Sequence, residues 1–228
     1  MGGNFIVIVV GRRQQLENQY YSIHISPNTS MLIFPEGVRL ATSTEIPFDP
    51  DLPELLAKIS NAQIEPGYIV HEINDRLFKY YIEANVNAKQ VWPLFCSLCK
   101  ILFPEESQPV LGDISGETLH GEYANTAKML ELFDRFQFYL ANDCSLQFGL
   151  GNSSPEEICE VFVASTKHFQ IWTNTVDSVE KIMADYDLRR VENLQFIDEF
   201  PRVTTSLEYK DGFDGYQDLL EYLTKLVS

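Results

Sequence analysis

The stretch that most constrains the fold runs from Glu157 to Arg202, where the spacing of apolar residues changes along the chain. Residues 161–164 (VFVA) are β-branched and aromatic, as a half-buried strand requires. Residues 169–174 alternate between two faces, with Trp172 on the face opposite Phe169, and this period of two predicts a second strand. The two strands are separated by a few residues around Lys167, so they are predicted to form a hairpin.

The period then changes to that of a helix. Apolar residues recur at intervals of three and four from Val176 to Tyr186, which predicts an amphipathic α-helix. Residues 194–197 predict a further strand, which ends before Pro201 because proline cannot donate to a ladder of hydrogen bonds. The stretch therefore predicts strand, tight turn, strand, helix and strand, in that order.

Along the whole chain, two strands followed by a helix occur about four times. Predicted helices cover residues 51–60, 88–103, 176–187 and 214–227. Further strands are predicted over residues 5–10, 20–26, 31–34, 38–44, 68–73, 77–84, 146–150 and 203–209. Short turns between strands favour antiparallel pairing, and the helices are then expected on one face. The predicted fold class is α+β, with mainly antiparallel strands in either one sheet or two.

Residues 104–117 are rich in proline, glycine and acidic residues, and we interpret them as a linker or long loop. The predicted division is an N-terminal α+β half over 1–113 and an acidic α+β half over 114–228; one continuous domain is the alternative. Residues 123–140 predict a long helix, although residues 136–140 (FQFYL) are also compatible with a strand.

The charge of the chain is strongly acidic, with 17 Lys and Arg against 33 Asp and Glu and a formal net charge of −16. Residues 1–113 contribute 8 − 13 = −5 and residues 114–228 contribute 9 − 20 = −11. Such a surface repels nucleic acid and anionic membranes and favours basic partners, although it equally serves solubility. Without an apolar run of about 18 residues or a signal-peptide pattern, we expect a cytoplasmic protein.

The cysteines, glycines and histidines contain no motif that specifies a chemistry. Cys96 and Cys99 have the spacing of a metal or redox pair, but their apolar flanks and the lack of a second such pair favour structural thiols in a core helix. Residues 149–152 (GLGN) resemble part of a phosphate loop but lack its third glycine and its lysine, so we interpret them as a turn. The four histidines are scattered. From the sequence we assign no catalytic residue, metal ligand or cofactor.

Carboxylates are the remaining candidates for a site. Five of them could gather at one end of the sheet: Glu156, Glu157, Glu160, Asp198 and Glu199. Paired acids can perform acid–base chemistry or bind a divalent cation, but a solvated acidic face is the alternative, and that face can itself bind a partner. Trp172 or Tyr209 is the candidate aromatic anchor of such a contact, and for Trp172 a position in the core is the alternative.

The run from Cys144 to Arg202 resembles bacterial proteins of the immunity type, which neutralise a toxin encoded nearby. The resemblance rests on a short strand with Gly-Leu-Gly, the segment EVFVASTKHFQIWT, an amphipathic helix and the segment LQFIDEFPR. It covers about a quarter of the chain and transfers no functional residue. It implies a cytoplasmic, acidic α+β protein that binds and blocks a basic toxin domain.

We therefore predict a non-enzymatic binding protein whose acidic C-terminal half occludes a basic protein partner. A small hydrolase-like enzyme with a carboxylate-lined cleft between the halves is the alternative, and a structural subunit of a larger assembly is the third. A deep pocket with perturbed pKa values would favour the enzyme, and a large exposed apolar patch would favour the subunit.

Overall fold

The computed structural model describes residues 6–9, 31–46, 51–73, 75–210 and 212–228, and of residues 6–9 it describes the backbone. The strand predicted over residues 20–26 lies outside this range. The described strands, in chain order, are β1 (Ile6–Val9), β2 (Val38–Leu40), β3 (Gly67–Glu72), β4 (Tyr80–Asn85), β5 (Glu106–Asp113), β6 (Thr118–His120), β7 (Ala124–Asn125), β8 (Leu146–Ser153), β9 (Ile158–Val163), β10 (Phe169–Thr173) and β11 (Arg202–Thr205).

These strands form two sheets, and every pair within them is antiparallel. The small sheet has the order β1-β11-β2, and the large one has eight strands in the order β3-β4-β10-β9-β8-β5-β6, with β7 paired to the start of β5. The large sheet takes strands from both sides of residue 113, where the sequence suggested a boundary. The sequence left open whether the strands form one sheet or two, and the described strands form two.

The described residues also form six α-helices: α1 (Leu52–Ser60), α2 (Ala88–Leu102), α3 (Thr126–Asp134), α4 (Gln137–Asn142), α5 (Val176–Asp185) and α6 (Tyr216–Val227). Helices α2 to α6 share one hydrophobic cluster with the inward-facing residues of the large sheet. Helix α1 instead packs near Val203 of the small sheet. The predicted α+β class is therefore confirmed.

The centre of the main cluster is an aromatic group around Phe148 of β8. Its ring lies 4.8 Å from that of Phe95 and 6.5 Å from that of Phe133, both in edge-to-face geometry, and 6.3 Å from that of Trp92. Aromatic pairs prefer such tilted contacts because the edge of one ring is positive and the face of the other is negative. These rings join α2 and α3 to the centre of the sheet.

The prediction of a linker over residues 104–117 is wrong, because β5 occupies most of it and lies between β8 and β6. Pro109 is tolerated within this strand. Its neighbours pair with β7 at residues 106–107 and with β6 at residues 110–112, so Pro109 falls in the gap between those two partners. There its carbonyl accepts from the amide of Gly121, and none of the described strands requires its missing N–H.

Three other segments differ from their predicted structure. Residues 194–197 form no strand, and a 3-10 helix covers Ile197–Glu199 instead. The predicted long helix is interrupted at Phe136 and becomes α3 and α4, so residues 136–140 are not a strand. Residues 31–34 are not a strand either. Within the described part of the chain, no helix is both long enough and apolar enough to cross a membrane.

Candidate functional site

Four side chains form a straight row across the face of the large sheet that points away from the helices. His71 of β3 is in register with Tyr81 of β4, which is opposite Trp172 of β10, which is opposite Glu160 of β9. The residues that follow or precede them in these strands face the main core, so the period of two places this row on the opposite face. We call these four residues the outer row.

The aromatic members of the outer row contact one another. The rings of His71 and Tyr81 are stacked with centroids 5.7 Å apart, and those of Tyr81 and Trp172 are 5.2 Å apart and tilted by 36°. Trp172 also packs against a small apolar cluster on the same face, formed by Val110, Phe162 and Ala164. Trp172 is therefore half-buried: its position is fixed by neighbours, and part of its ring remains accessible to a partner.

Glu160 of β9 is the last residue of the outer row and carries a carboxylate. Its other cross-strand neighbour is Gly151, which has no side chain. Burial raises the pKa of the Glu160 carboxyl above its ordinary value, and the nearby His120 opposes this effect. A carboxylate that is partly desolvated beside an indole binds a cation more strongly than one in bulk water, since the local dielectric is lower.

A second carboxylate, that of Glu83, lies on the same face of β4, two residues after Tyr81. Glu83 is 4% exposed, and its Oε2 lies 3.2 Å from Nε2 of His71. Neither Glu83 nor Tyr81 was predicted as a site residue from the sequence. The alternation within β4 places Glu83 and Tyr81 on one face, but their contact with β3 and β10 depends on pairings that local patterns do not specify.

Glu156 and Glu157 lie at the same end of the sheet as Glu160, in the turn that joins β8 to β9. Both side chains are exposed. The hydroxyl of Ser154 accepts from both backbone amides, at 3.3 and 3.0 Å, which fixes the turn. The carboxylate of Glu157 accepts from Nδ2 of Asn174 at 3.0 Å. Three of the five predicted carboxylates are therefore close in the fold.

Asp198 and Glu199 lie at the opposite end of the sheet. Oδ2 of Asp198 lies 3.9 Å from Nδ1 of His168. His168 follows the turn between β9 and β10, at the end of β9 that is far from Glu160. Glu199 is engaged within the chain, since its Oε1 accepts from the amide of Phe196 at 2.9 Å and its carbonyl accepts from Lys58 at 2.7 Å. A six-residue strand is about 20 Å long, so the five carboxylates form two separate groups.

The cysteine pair lies inside α2, with Cys99 fully buried and Cys96 partly so. Burial raises the pKa of Cys96 to about 11 and raises that of Cys99 well above its ordinary value, so both remain thiols at neutral pH. A thiol is a poor nucleophile and metal ligand compared with a thiolate. Among the described residues, no group of three or more His, Cys, Asp and Glu side chains is placed to hold a metal ion.

The GLGN segment is not a turn. Strand β8 continues through residues 149–152 to Ser153, and Gly149 and Gly151 pair with β9 on one side and β5 on the other. The two glycines lie on the outer face, next to Phe162 and Glu160 respectively. Their role here is to leave room for those two side chains.

No protein-family model, curated protein or solved structure matches this chain. The function therefore has to be inferred from the outer row and its surroundings.

Proposed function

We propose that the protein binds a basic protein partner and blocks it by occlusion, without catalysing a reaction itself. The observation that carries this proposal is the direct cross-strand pairing of Trp172 with Glu160 on the outer face of the sheet. An accessible indole beside a partly desolvated carboxylate is suited to the side chain of arginine or lysine. The cation can lie over the ring while it pairs with the carboxylate.

The surroundings of this pair favour a large basic ligand over a small one. Glu156 and Glu157 extend the negative charge to the end of the sheet, and Tyr81 and His71 extend the flat aromatic surface sideways. Aromatic anchors surrounded by polar residues are typical of protein interfaces. The net charge of −16 would also accelerate the encounter with a basic partner at low ionic strength. A basic toxin domain is the partner that this proposal favours.

One observation favours an enzyme as the second candidate. Glu160 has a raised pKa, and Glu83 pairs with His71 on the same face. A carboxyl group with a raised pKa can act as a general acid, and a carboxylate–histidine pair can act as a base. This function would require a substrate that spans β4, β10 and β9.

The test is capture of a partner from the source lysate with the tagged protein as bait, washed at increasing salt concentration. We expect one basic protein to be retained at low salt and released as salt rises, because exposed charges are screened within about 8–10 Å at physiological ionic strength. The decisive comparison uses the double variant Glu157→Lys/Glu160→Lys. Its matched control is Glu131→Lys/Asp185→Lys, which makes the same charge change at exposed positions on α3 and α5.

Loss of capture in the first double variant alone supports the proposal. Equal capture by both variants and the wild type would show that the outer face is not the interface. Retention of no basic protein at any salt concentration would remove the main support for a binding function. Hydrolysis of a substrate by the wild type that Glu160→Gln abolishes would establish the enzyme instead.

A further inference from the structure

A cavity of about 280 Å³, open to solvent over much of its boundary, lies on the helical side of the molecule, against the exposed face of α6. Four of its lining residues recur at intervals of three and four along α6: Asp218, Glu221, Tyr222 and Lys225. Phe213, from the segment before the helix, completes its wall together with Gly212. We call this cavity the α6 cleft. Leu219 and Leu223 of the same helix face the main core, so the α6 cleft and the outer row are on opposite sides of the large sheet.

The floor of the α6 cleft is aromatic. The rings of Phe213 and Tyr222 are in edge-to-face contact with centroids 5.5 Å apart, and both contact Phe136, at 5.9 and 5.8 Å. Tyr222 is 36% exposed and lines the cavity. The face of an aromatic ring carries negative potential, which attracts cations.

The charges around the α6 cleft point to the same class of ligand. Nζ of Lys225 lies 2.5 Å from Oε1 of Glu221, so the positive charge of Lys225 is balanced within the lining. Asp218 remains as a second carboxylate, with its Oδ2 accepting from the amide of Asp214 at 3.3 Å. The lining therefore has a net negative charge, and it combines carboxylates with aromatic rings.

The chain itself provides a precedent for a cation in this aromatic group. The guanidinium carbon of Arg135 lies 5.5 Å from the ring centroid of Phe136, which is the ring that Phe213 and Tyr222 both contact. A planar guanidinium stacks on aromatic rings and donates to carboxylates through several N–H groups, whereas an ammonium does so as a point charge. Phe136, which contacts both Phe213 and Tyr222, thus already packs against a guanidinium, and a guanidinium is also the group that the negative charge of the α6 cleft favours.

We propose that the α6 cleft binds an alkylguanidinium, the group at the end of the arginine side chain, with its plane against Tyr222 and its N–H groups donating to Asp218. Arginine within a polypeptide and free arginine share this chemistry. Because the cleft is remote from the outer row, this inference does not depend on the proposed function.

The experiment is a titration of the ¹⁵N-labelled protein with N-acetyl-L-arginine methylamide, followed by the amide resonances of residues 212–226. The control ligand is the citrulline analogue, which has the same length but carries a neutral urea. We expect saturable shifts with a Kd on the order of 1–10 mM for the arginine ligand, because an exposed cation–π contact and an exposed ion pair each contribute modestly. Free L-arginine is titrated in parallel.

Two variants assign the site. Asp218→Asn preserves an acceptor for the amide of Asp214 while removing the charge, and we expect it to weaken binding by about 2- to 5-fold. Tyr222→Leu removes the ring and should weaken binding further. Glu131→Gln removes a charge from an exposed site on α3 and should leave Kd unchanged. The fold of each variant is checked from its amide spectrum.

Equal shifts with the citrulline ligand, or an unchanged Kd in Asp218→Asn, would overturn the proposal. Binding of the blocked and the free arginine with similar Kd supports a site for arginine in a polypeptide. Binding of free arginine at least tenfold tighter supports the same guanidinium site with a free amino acid as its source.

Discussion

Trp172 and Glu160 stand directly opposite each other on β10 and β9, with both side chains on the outer face of the large sheet. Cross-strand neighbours have Cβ atoms about 5 Å apart, so the carboxylate lies next to the aromatic surface of the indole. Burial raises the pKa of Glu160. A basic side chain that reaches this pair can use the carboxylate and the ring together.

The pairing predicts how Glu160→Gln changes stability with pH. The pKa of Glu160 in the folded protein lies above the ordinary value of 4.5, chiefly because of burial. Between that ordinary value and the raised one, the folded state binds more protons than the unfolded state, so this group makes stability fall as pH rises through that window. Glutamine does not titrate. We therefore expect the variant to gain stability relative to the wild type between pH 4 and pH 7.

The measurement is the urea midpoint of both proteins at pH 4, 5.5 and 7. A constant difference between the midpoints would contradict the prediction, as would a difference of opposite sign. The result also bears on the partner experiment. If Glu160→Gln is no less stable than the wild type at pH 7, it can be added to the capture experiment, where any loss of capture then reflects the interface and not unfolding.

The sequence predicted elements well wherever one local period coincided with one face in the fold. Strands β9 and β10 and helix α5 are examples, since the apolar residues that recur at the strand and helix spacings are those that face the main core. Strand β5 was missed because its proline and glycine resemble a loop. Its place in the sheet comes from β8 and β6, which are distant in sequence.

The candidate site was predictable only in part, for the same reason. Glu160 was proposed for its charge and Trp172 as an aromatic anchor, and both belong to one hairpin, whose register is local. Tyr81 and Glu83 join them through the pairing of β4 with β10, which links residues about 90 positions apart and has no local signal. The separation of Asp198 from Glu160 likewise depends on which end of β9 the 3-10 helix meets.

A second prediction concerns the two glycines of β8 on the outer face. A Cβ at Gly149 would lie 2.7 Å from the carbonyl oxygen of Val161 and 3.0 Å from Cδ2 of Phe162. One at Gly151 would meet its nearest atoms, in Cys159 and Glu160, at 3.3 Å. Neither residue has a positive φ, so the difference between them is steric.

We expect Gly149→Ala to lower the free energy of unfolding by about 1–3 kcal/mol, as overpacking does. Gly151→Ala is the matched control on the same strand and face. Its milder contacts are partly offset by about 0.4–1 kcal/mol from reduced freedom of the unfolded chain, so we expect a change of under about 1 kcal/mol. Urea unfolding followed by tryptophan fluorescence measures both. Equal effects would show that the strand relaxes around the added methyl group.

A third prediction concerns Lys167, which occupies the turn between β9 and β10 with φ +64° and is 1% exposed. Its ammonium donates to the carbonyl of Leu146 at 2.5 Å and lies 5.8 Å from the ring centroid of Phe148. Burial lowers its pKa from 10.5 to about 7, although Asp143 and Cys144 act in the opposite direction. Between these two values the unfolded state binds more protons, so this lysine makes stability rise with pH from about 7 to 10.5.

Lys167→Met should remove that dependence. At pH 7 the cost of burying the amine is roughly 4 kcal/mol, since each pKa unit corresponds to about 1.4 kcal/mol. Methionine leaves the Leu146 carbonyl without this donor, at a cost of about 1–3 kcal/mol. We therefore expect the variant to be more stable than the wild type by about 1–3 kcal/mol at pH 7 and to lose this advantage by pH 10.

Urea unfolding of both proteins at pH 7, 8.5 and 10 gives the difference, in which the other titrating groups largely cancel. Lys181→Met, at an exposed position on α5, is the matched control and should change little. A stability difference between Lys167→Met and the wild type that is independent of pH would show that the amine keeps its ordinary pKa in the folded protein, as it would if it reached solvent.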